Sequence, residues 1–400
     1  MEMTKYKLGD LCRIASAKRI FENEYVDFGV PFVRGQEISD GSLLDQNSVF
    51  DCYISKERYE EIKQKYGKPS KGDILITAVG TIGNLCYLDK DIDFYFKDGN
   101  VIWFSDIKDF CCGLYLYHFM KGSFFKDQLK YYMIGAVQNA LTMDMLKKVN
   151  VPLPSLSEQK KIAAVLSALD DKIALNKKMN QKLEAMAKRL YDYWFVQFDF
   201  PDENGRPYKT SGGPMTHNPT LNREIPVGWE VLTIGEILDK YKTTKKFNTS
   251  DYKSDGKYPI VDQDTSTFIA GYTDDEDVLK RYPAVLFGDH STCVKFLNFE
   301  FGRGADGTQI LYSKDERVRQ FYLYMAIKSM SIPNPGYARH FKFLKEMPII
   351  LPCQELADEY QKRMEPIYTA ITKVDLENRA MTKLRNKLLP LLMNGQVTIA

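Results

Sequence analysis

The sequence predicts an α+β chain: two mixed α/β domains in pseudo-twofold tandem repeat, separated by two long helices that form an antiparallel coiled coil. The run Glu158 to Phe198 contains no Gly or Pro and carries Ile162, Leu166, Leu169, Ile173, Asn176, Asn180, Leu183, Ala187, Leu190 and Trp194 at steps of four and three. That is the seam of a helix that must meet another helix. From Tyr360 the series Tyr360, Met364, Ile367, Ile371, Val374, Asn378 and Met381 repeats those steps, then slips to Leu384, Leu388 and Leu391. A shift of 198 residues lays Ile162 on Tyr360, Leu166 on Met364, Ile173 on Ile371, Asn180 on Asn378 and Leu190 on Leu388. One chain therefore holds two copies of one long helix.

What precedes each helix repeats as well. Leu146-Lys147 and Val151-Pro152-Leu153-Pro154 in the first half match Leu344-Lys345 and Ile349-Ile350-Leu351-Pro352 in the second. Tyr6-Lys7-Leu8-Gly9-Asp10-Leu11 answers Trp229-Glu230-Val231 with Ile234-Gly235-Glu236-Ile237 at an offset near 226, so the second body is shorter by 28 residues. The expected divisions are a first domain over 1–154, a helix over 155–199, a linker over 200–228, a second domain over 229–352, and a second helix with tail over 353–400. Duplicated frames with unequal bodies point to one task done on two different targets.

Taken in order, residues 1–154 read as short strands broken by turn signals at Phe28-Gly29, Asp40-Gly41 and Asp98-Gly99-Asn100. Asp73 to Ala78 and Asn100 to Phe104 are the clearest strands, Ser55 to Lys65 a charged helix, and Gly113 to Lys126 an amphipathic one. Ser157 with Glu158 offers cap residues for the first long helix. Pro201 to Pro226, rich in Pro, Gly, Asn, Thr and Ser, reads as a linker. The second domain repeats the pattern with strands at Tyr258 to Val261 and Ala284 to Phe287, a helix at Arg319 to Met330 and a loop at Ile332 to Phe341. Pro366 is expected to break the second long helix, leaving a short piece to Glu365, a main piece from Ile367 and an end near Pro390.

Composition sets bounds on function. The 400 residues, 44% hydrophobic and 13% aromatic, suffice for two cores of about 120 to 150 residues each plus helices. A net charge of +2 makes any nucleic-acid face local. No early apolar run suits a signal peptide and no stretch suits a membrane span, so the chain is expected to be cytoplasmic. Seven scattered Cys without a C-x-x-C pair read as reduced thiols. There is no Walker loop. Asn334-Pro335-Gly336-Tyr337 faintly echoes the motif with which amino-methyltransferases hold a flipped base, but lacks its second Pro and has no Gly-rich turn beside it. Glu61-Ile62-Lys63 is a triplet that arises by chance. His118, His217, His290 and His340 lie in four different segments, none at metal or triad spacing, and His118 reads as core.

A helix of about 38 residues spans about 57 Å, between one and two turns of B-DNA at about 34 to 36 Å per turn. Two such helices laid antiparallel make a spacer of fixed length, whose seam Asn176, Asn180 and Asn378 set the register. The expected interface is Leu166, Leu169, Ile173, Asn180, Leu183 and Leu190 against Ile367, Ile371, Asn378 and Leu388. Loops with Gly, polar and basic residues recur at matching places in both halves. In the first these are Val33 to Gln36, Thr77 to Gly83 and Gly135 to Thr142. In the second they are Val261 to Asp264, Gly288 to Thr292 and Gly336 to Lys342. Arg, Gln, Asn and His match base edges, so the candidate DNA-binding residues are Lys18, Arg34, Gln36, Thr77, Thr81, Gln138 and Asn139, then Gln263, His290, Ser291, Tyr337, Arg339, His340 and Lys342. Arg13, Lys18, Arg19, Lys240, Lys242, Lys245 and Lys246 suit phosphates. Two rivals stay open: a non-catalytic protein-binding scaffold with two lobes, and an enzyme with a dispersed site.

A family resemblance rests on Pro152-Leu153-Pro154-Ser155-Leu156-Ser157-Glu158-Gln159, on Leu169-Asp170-Asp171-Lys172-Ile173 with Asn176, and on Tyr193-Trp194-Phe195-Val196 with Phe198-Asp199. To these it adds Gly80-Thr81-Ile82-Gly83, Gln138-Asn139-Ala140-Leu141-Thr142, Gly336-Tyr337-Ala338-Arg339-His340 and Phe343-Leu344-Lys345. Over nearly all its length the chain resembles the specificity subunits of type I restriction-modification systems. Cys353-Gln354-Glu355-Leu356 and Pro366 depart from the first copy. The resemblance implies a non-catalytic subunit whose two target-recognition domains each bind one half of a split, asymmetric site on double-stranded DNA. It also implies two methyltransferase subunits that bind S-adenosylmethionine, methylate adenine and dock on the helical spacer, joined by ATP-dependent restriction and translocase subunits. S-adenosylmethionine, ATP and Mg then belong to those partners and no cofactor to this chain.

Overall fold

A computed structural model describes residues 2–45, 48–133, 140–241, 244–304, 306–333 and 339–399. Packing divides them into two units, residues 1–174 with 378–400 and residues 175–377. Each unit takes one of the duplicated bodies, a stretch of the first long helix and a stretch of the second.

In the first unit the apolar run around Ile74 becomes the inner strand of an antiparallel sheet ordered Arg13–Ser16, Val101–Ser105, Ile74–Thr77, Leu85–Tyr87. Alternate side chains serve opposite faces. Ile74, Ile76 and Phe104 join Leu116, Phe119 and Leu166 on one side, while Leu75, Val101 and Trp103 join Phe94 and Phe96 on the other. A second sheet orders Tyr25–Val26, Tyr53–Ile54, Val30–Val33 and Tyr95–Phe96. The charged helix runs Lys56–Tyr66, with the Ser55 hydroxyl accepting from Arg58 N at 3.1 Å. The amphipathic helix is two, Gly113–Lys121 and Ser123–Met133, because Gly122 between them is extended. Burial pushes the thiols of Cys12, Cys86 and Cys111 up to about 12, which keeps them protonated and unreactive.

The second unit rebuilds the same frame with less chain. Val294–Leu297, Ala284–Gly288 and Thr308–Leu311 form its central sheet, and Lys246–Phe247, Gly302–Gly304, Tyr258–Val261 and Gly271–Thr273 its other one. The duplication is visible at single atoms. Leu8 N donates to Val149 O at 2.9 Å and Ile234 N to Met347 O at 2.9 Å. A Cβ on Gly9 would press on Lys147, and one on Gly235 on Lys345, so both glycines admit the same close approach. The stretch 200–228, expected to be a linker, is built into this unit. Met215–Asn218 pairs with Arg223–Pro226, and Phe200 lies stacked between Tyr208 at 4.6 Å and Trp229 at 5.2 Å. Its Gly and Pro shape turns, while Phe200 and Ile225 are buried in the core and Tyr208, Met215 and Leu221 pack against it.

The first long helix runs Leu156–Tyr191 and ends in a wider turn over Asp192–Val196. Its cap is Ser155 and not Ser157: the Ser155 hydroxyl accepts from Glu158 N at 3.3 Å. The second long helix corrects the expectation about Pro366, running unbroken over Gln354–Met393. Proline removes one backbone bond, but Tyr360, Met364, Ile367, Tyr368 and Ile371 on both sides of it are buried in one core and hold the chain helical. Its end passes Pro390 and closes at Gly395, whose φ of 69° suits a glycine stop.

In each unit the helices run antiparallel. In the second, Trp194 meets Tyr360 with rings 5.6 Å apart, Asn180 Nδ2 donates to Asp375 Oδ1 at 2.6 Å and Ile371 O at 3.3 Å, and Asn176 Nδ2 donates to Glu377 Oε2 at 2.9 Å. In the first, Arg385 Nη1 donates to Asp170 Oδ1 at 2.7 Å and Lys161 Nζ to Ile399 O at 3.4 Å. Of the expected seam, Leu166, Ile173, Asn180, Ile367 and Ile371 are buried, and Leu169, Leu183, Leu190, Asn378 and Leu388 half-buried. Leu384 is exposed instead, and Leu392 and Met393 take the buried places. Buried Asn176 and Asn180 spend their amides across the seam, where a shift by one residue would strand them. Among the described residues no helix is long and apolar enough to cross a membrane.

His118 is buried with Nε2 2.8 Å from the Ser167 hydroxyl. Burial, reinforced by Lys121, pulls its pKa down from 6.5 to about 4. The ring is therefore neutral in the fold, and the unfolded chain binds the proton first. This contribution to stability is present above pH 6.5 and is lost as pH falls toward about 4, up to about 3 kcal/mol. Urea unfolding at pH 7 and pH 4.5 should show that loss, and a His118→Gln variant should lack most of it; equal losses in both chains would refute the assignment to His118.

Candidate nucleic-acid interface

Three loops far apart in sequence meet at the end of the central strand in each unit. In the first unit Ile74–Thr77 runs out at Ala78, whose N–H donates to Asn100 O at 2.7 Å and whose carbonyl accepts from Leu141 N at 2.9 Å. In the second Ala284–Gly288 runs out at Asp289, whose N–H donates to Gly307 O at 2.7 Å and whose carbonyl accepts from His340 N at 2.9 Å. The third loop arrives beside these on a parallel pair, Val30–Val33 with Tyr95–Phe96 and Tyr258–Val261 with Gly302–Gly304. One backbone cradle is thus made twice, and it gathers in each half the three loops singled out by composition.

In the first unit the short helix Gly35–Ser39 lies against this cradle, so close that a Cβ on Gly35 would touch Thr77. Ser39 Oγ is 2.9 Å from Thr81 Oγ1 and accepts from Asn84 Nδ2 at 2.8 Å. Gln36 and Thr81 face solvent. Arg34 is tied to Asp51 at 2.9 Å and lies 3.9 Å from Glu37. Lys18 is exposed with its ammonium 5.7 Å from the Tyr66 ring, and Arg19 pairs with Asp98 at 2.9 Å.

Gln263 is the hub of the second unit's cluster. Its Nε2 donates to Asp306 O at 2.7 Å, its Oε1 accepts from His290 N at 2.9 Å, and its carbonyl accepts from Ser291 Oγ at 2.8 Å. His290, Arg339 and Lys342 are exposed around it. Asp306 sits among them, paired to Lys246. The hydrogen bond and charge of Lys246, then the neighbouring Arg339 and His290, hold its carboxyl below the usual carboxylate range.

Two expectations are corrected. Thr77 is fully buried, its hydroxyl donating to Thr81 O and accepting from Asn84 N at 3.0 Å; it shapes the loop and cannot reach a base. His340 is buried with Nδ1 2.9 Å from Asp289 O, which fixes the stretch Arg339 to Lys342 to the strand. Gln263 and Ser291 likewise spend their polar atoms inside the cluster. Gln138, Asn139 and Tyr337 lie outside the described residues, as does Lys242. Ser39, Asn84 and Asp306 belong to the clusters and were not singled out, because nothing in the spacing of these common polar residues sets them apart from ordinary turn positions.

A family described as the type I restriction modification DNA specificity domain matches residues 1–185 and 226–388. The MjaIX type I restriction enzyme specificity subunit of Methanocaldococcus jannaschii is 26% identical over 357 residues, 82% of this chain and 78% of that one. The HindI type I restriction enzyme specificity subunit of Haemophilus influenzae is 24% identical over 481 aligned positions, 98% of this chain and 99% of that one. Among solved structures, the type I restriction-modification S subunit from M. genitalium superposes with a TM-score of 0.58 over 98% of this chain and 96% of that one, at 14% identity.

Proposed function

This chain belongs to the type I restriction-modification DNA specificity family, and from that premise we propose that it reads a bipartite, asymmetric DNA site, one half with each three-loop cluster. The reading is supported above all by the repeated cradle, which presents Gln36 and Thr81 in one unit and His290, Arg339 and Lys342 in the other. Arg339 and His290 suit purine edges, and Lys18 and Lys342 suit phosphates. Two different side-chain sets on one frame fit two different half-sites.

The paired helices serve as the spacer that sets the gap between half-sites. A 36-residue helix is about 54 Å long, and seam Asn residues fix such a pair in one register. The helices also dock the adenine methyltransferase subunits, joined by restriction and translocase subunits; this chain supplies specificity and its partners the chemistry. Leu175, Met179, Met186, Tyr193 and Val196 are exposed on the first long helix and the turn that ends it, and Met179, Met186 and Tyr193 recur at heptad spacing, as a row awaiting another helix would. S-adenosylmethionine, ATP and Mg act on those partners.

The experiment is binding of the assembled complex to a duplex carrying its methylated motif. Affinity should fall steeply and linearly in log–log form as salt rises, with a slope near minus the number of phosphates engaged. Salt-insensitive or absent binding would favour the protein-binding scaffold over a DNA reader.

A further inference from the structure

A cavity of about 400 Å³ opens in the first unit, lined in part by Gly83, Asn84, Tyr117, His118 and by Asp170 and Arg385 of the helix stretches in this unit. Its wall carries three cations, Lys121, Lys126 and Arg385, against one carboxylate, Asp170. Asp170 Oδ2 accepts from Lys121 at 2.5 Å and its Oδ1 from Arg385 at 2.7 Å. One acid therefore serves two cations, and among the described residues Lys126 is exposed and has no carboxylate partner. A clamp meant only to tie helices together would be close to neutral. Here two positive charges remain in surplus inside one concave wall, where the low dielectric of the protein sharpens both their repulsion and their pull on an anion.

The remaining lining fits an oxyanion too. Asn386 lines the cavity with its Oδ1 accepting from Arg385 Nη2 at 2.9 Å, Asn84 with its Nδ2 donating to Ser39 Oγ at 2.8 Å, and His118 at the wall is buried and bound to the Ser167 hydroxyl, so the three add polar surface without a competing negative charge. The volume is in the range that holds small-molecule ligands. We propose that this cavity binds a phosphate group, held by Lys126 with Lys121, while Arg385, whose Nε and Nη2 donate to Asn386 Oδ1 at 3.2 and 2.9 Å, adds its charge to the wall. Two sources can supply the group. Gly83 and Asn84 end the loop that begins at Thr77, so the rim continues into the candidate interface and a backbone phosphate of bound DNA is one source; a free phosphorylated small molecule is the other.

Titrating the full chain with inorganic pyrophosphate at constant ionic strength should give saturable binding by calorimetry. Lys126→Gln should weaken it about tenfold, as expected for one lost charge-assisted bond, while its unliganded unfolding midpoint stays that of the parent because Lys126 is exposed. Lys121→Gln should weaken it as well. Binding no tighter than that of chloride, or binding unchanged in Lys126→Gln, would overturn the proposal. In the assembled complex, competition between pyrophosphate and duplex, with a salt slope about one unit smaller in Lys126→Gln, identifies the DNA backbone as the source; independent binding identifies a free phosphate compound. A complex that reads its split duplex normally yet shows no saturation by pyrophosphate would sink this proposal alone and leave the reading of DNA standing.

Discussion

Removing Lys177–Leu183 from the first long helix together with Thr372–Asn378 from the second should shorten the gap in the methylated motif by about 3 base pairs, since seven residues of helix rise about 10.5 Å and B-DNA rises about 3.4 Å per pair. Each deletion removes one heptad, so the seam closes again with Ile173 and Asn176 on one helix and Ile371 on the other still on the inner face. Removing Lys177–Leu183 alone should abolish assembly. It would take Asn180 from Asp375, which accepts its amide at 2.6 Å, and would push every later pair in the second unit, down to Trp194 on Tyr360, out of register. Sequencing methylated adenines in a host carrying the complete system measures the gap. An unchanged gap with intact assembly after the paired deletion would show that the helices do not set the spacing.

The long helices were legible because steps of four and three sustained over ten positions leave little room for another structure, and because the same steps recur 198 residues later. Pro366 was misread by a local rule. The lost backbone bond costs about 3 kcal/mol in an isolated helix, yet five large side chains within eight residues of it are buried together, and burial outweighs the break. The stretch 200–228 misled in the opposite way: its Gly and Pro dominate the composition, while Phe200, Tyr208 and Ile225, which decide its fate, are few. For the candidate interface, composition found the loops but not which way their side chains point. Thr77 and His340 sit where a strand ends or a loop returns to it, and such positions turn inward to satisfy the backbone. Gln36, Thr81 and Arg339, a step further along, face solvent. Asp306 was invisible because an acid in a turn reads as ordinary, and only its neighbours Lys246, Arg339 and His290 make it part of a charged cluster.

Gly288→Val should abolish modification through one half-site, whereas Arg339→Ala should relax that half and leave the other intact. The difference separates positioning from reading. A Cβ at position 288 would collide with Ser291 Oγ and Gln263 Cβ, and Gln263 is the side chain that holds His290 N and the Asp306 carbonyl together. Overpacking of this kind costs about 1 to 3 kcal/mol in a core that can shift. Here the shift itself displaces the loops, so the loss in recognition should exceed a hundredfold while the first unit's half is still read. Arg339 is exposed; its removal should cost about 1 to 3 kcal/mol of discrimination at a single base position. Methylated-site mapping distinguishes the cases: a motif degenerate at one position for Arg339→Ala, and no methylation dependent on the second unit for Gly288→Val. Equal loss of both half-sites with either variant would contradict two independently reading clusters, and an unaltered motif with Gly288→Val would remove the Gln263 hub from recognition altogether.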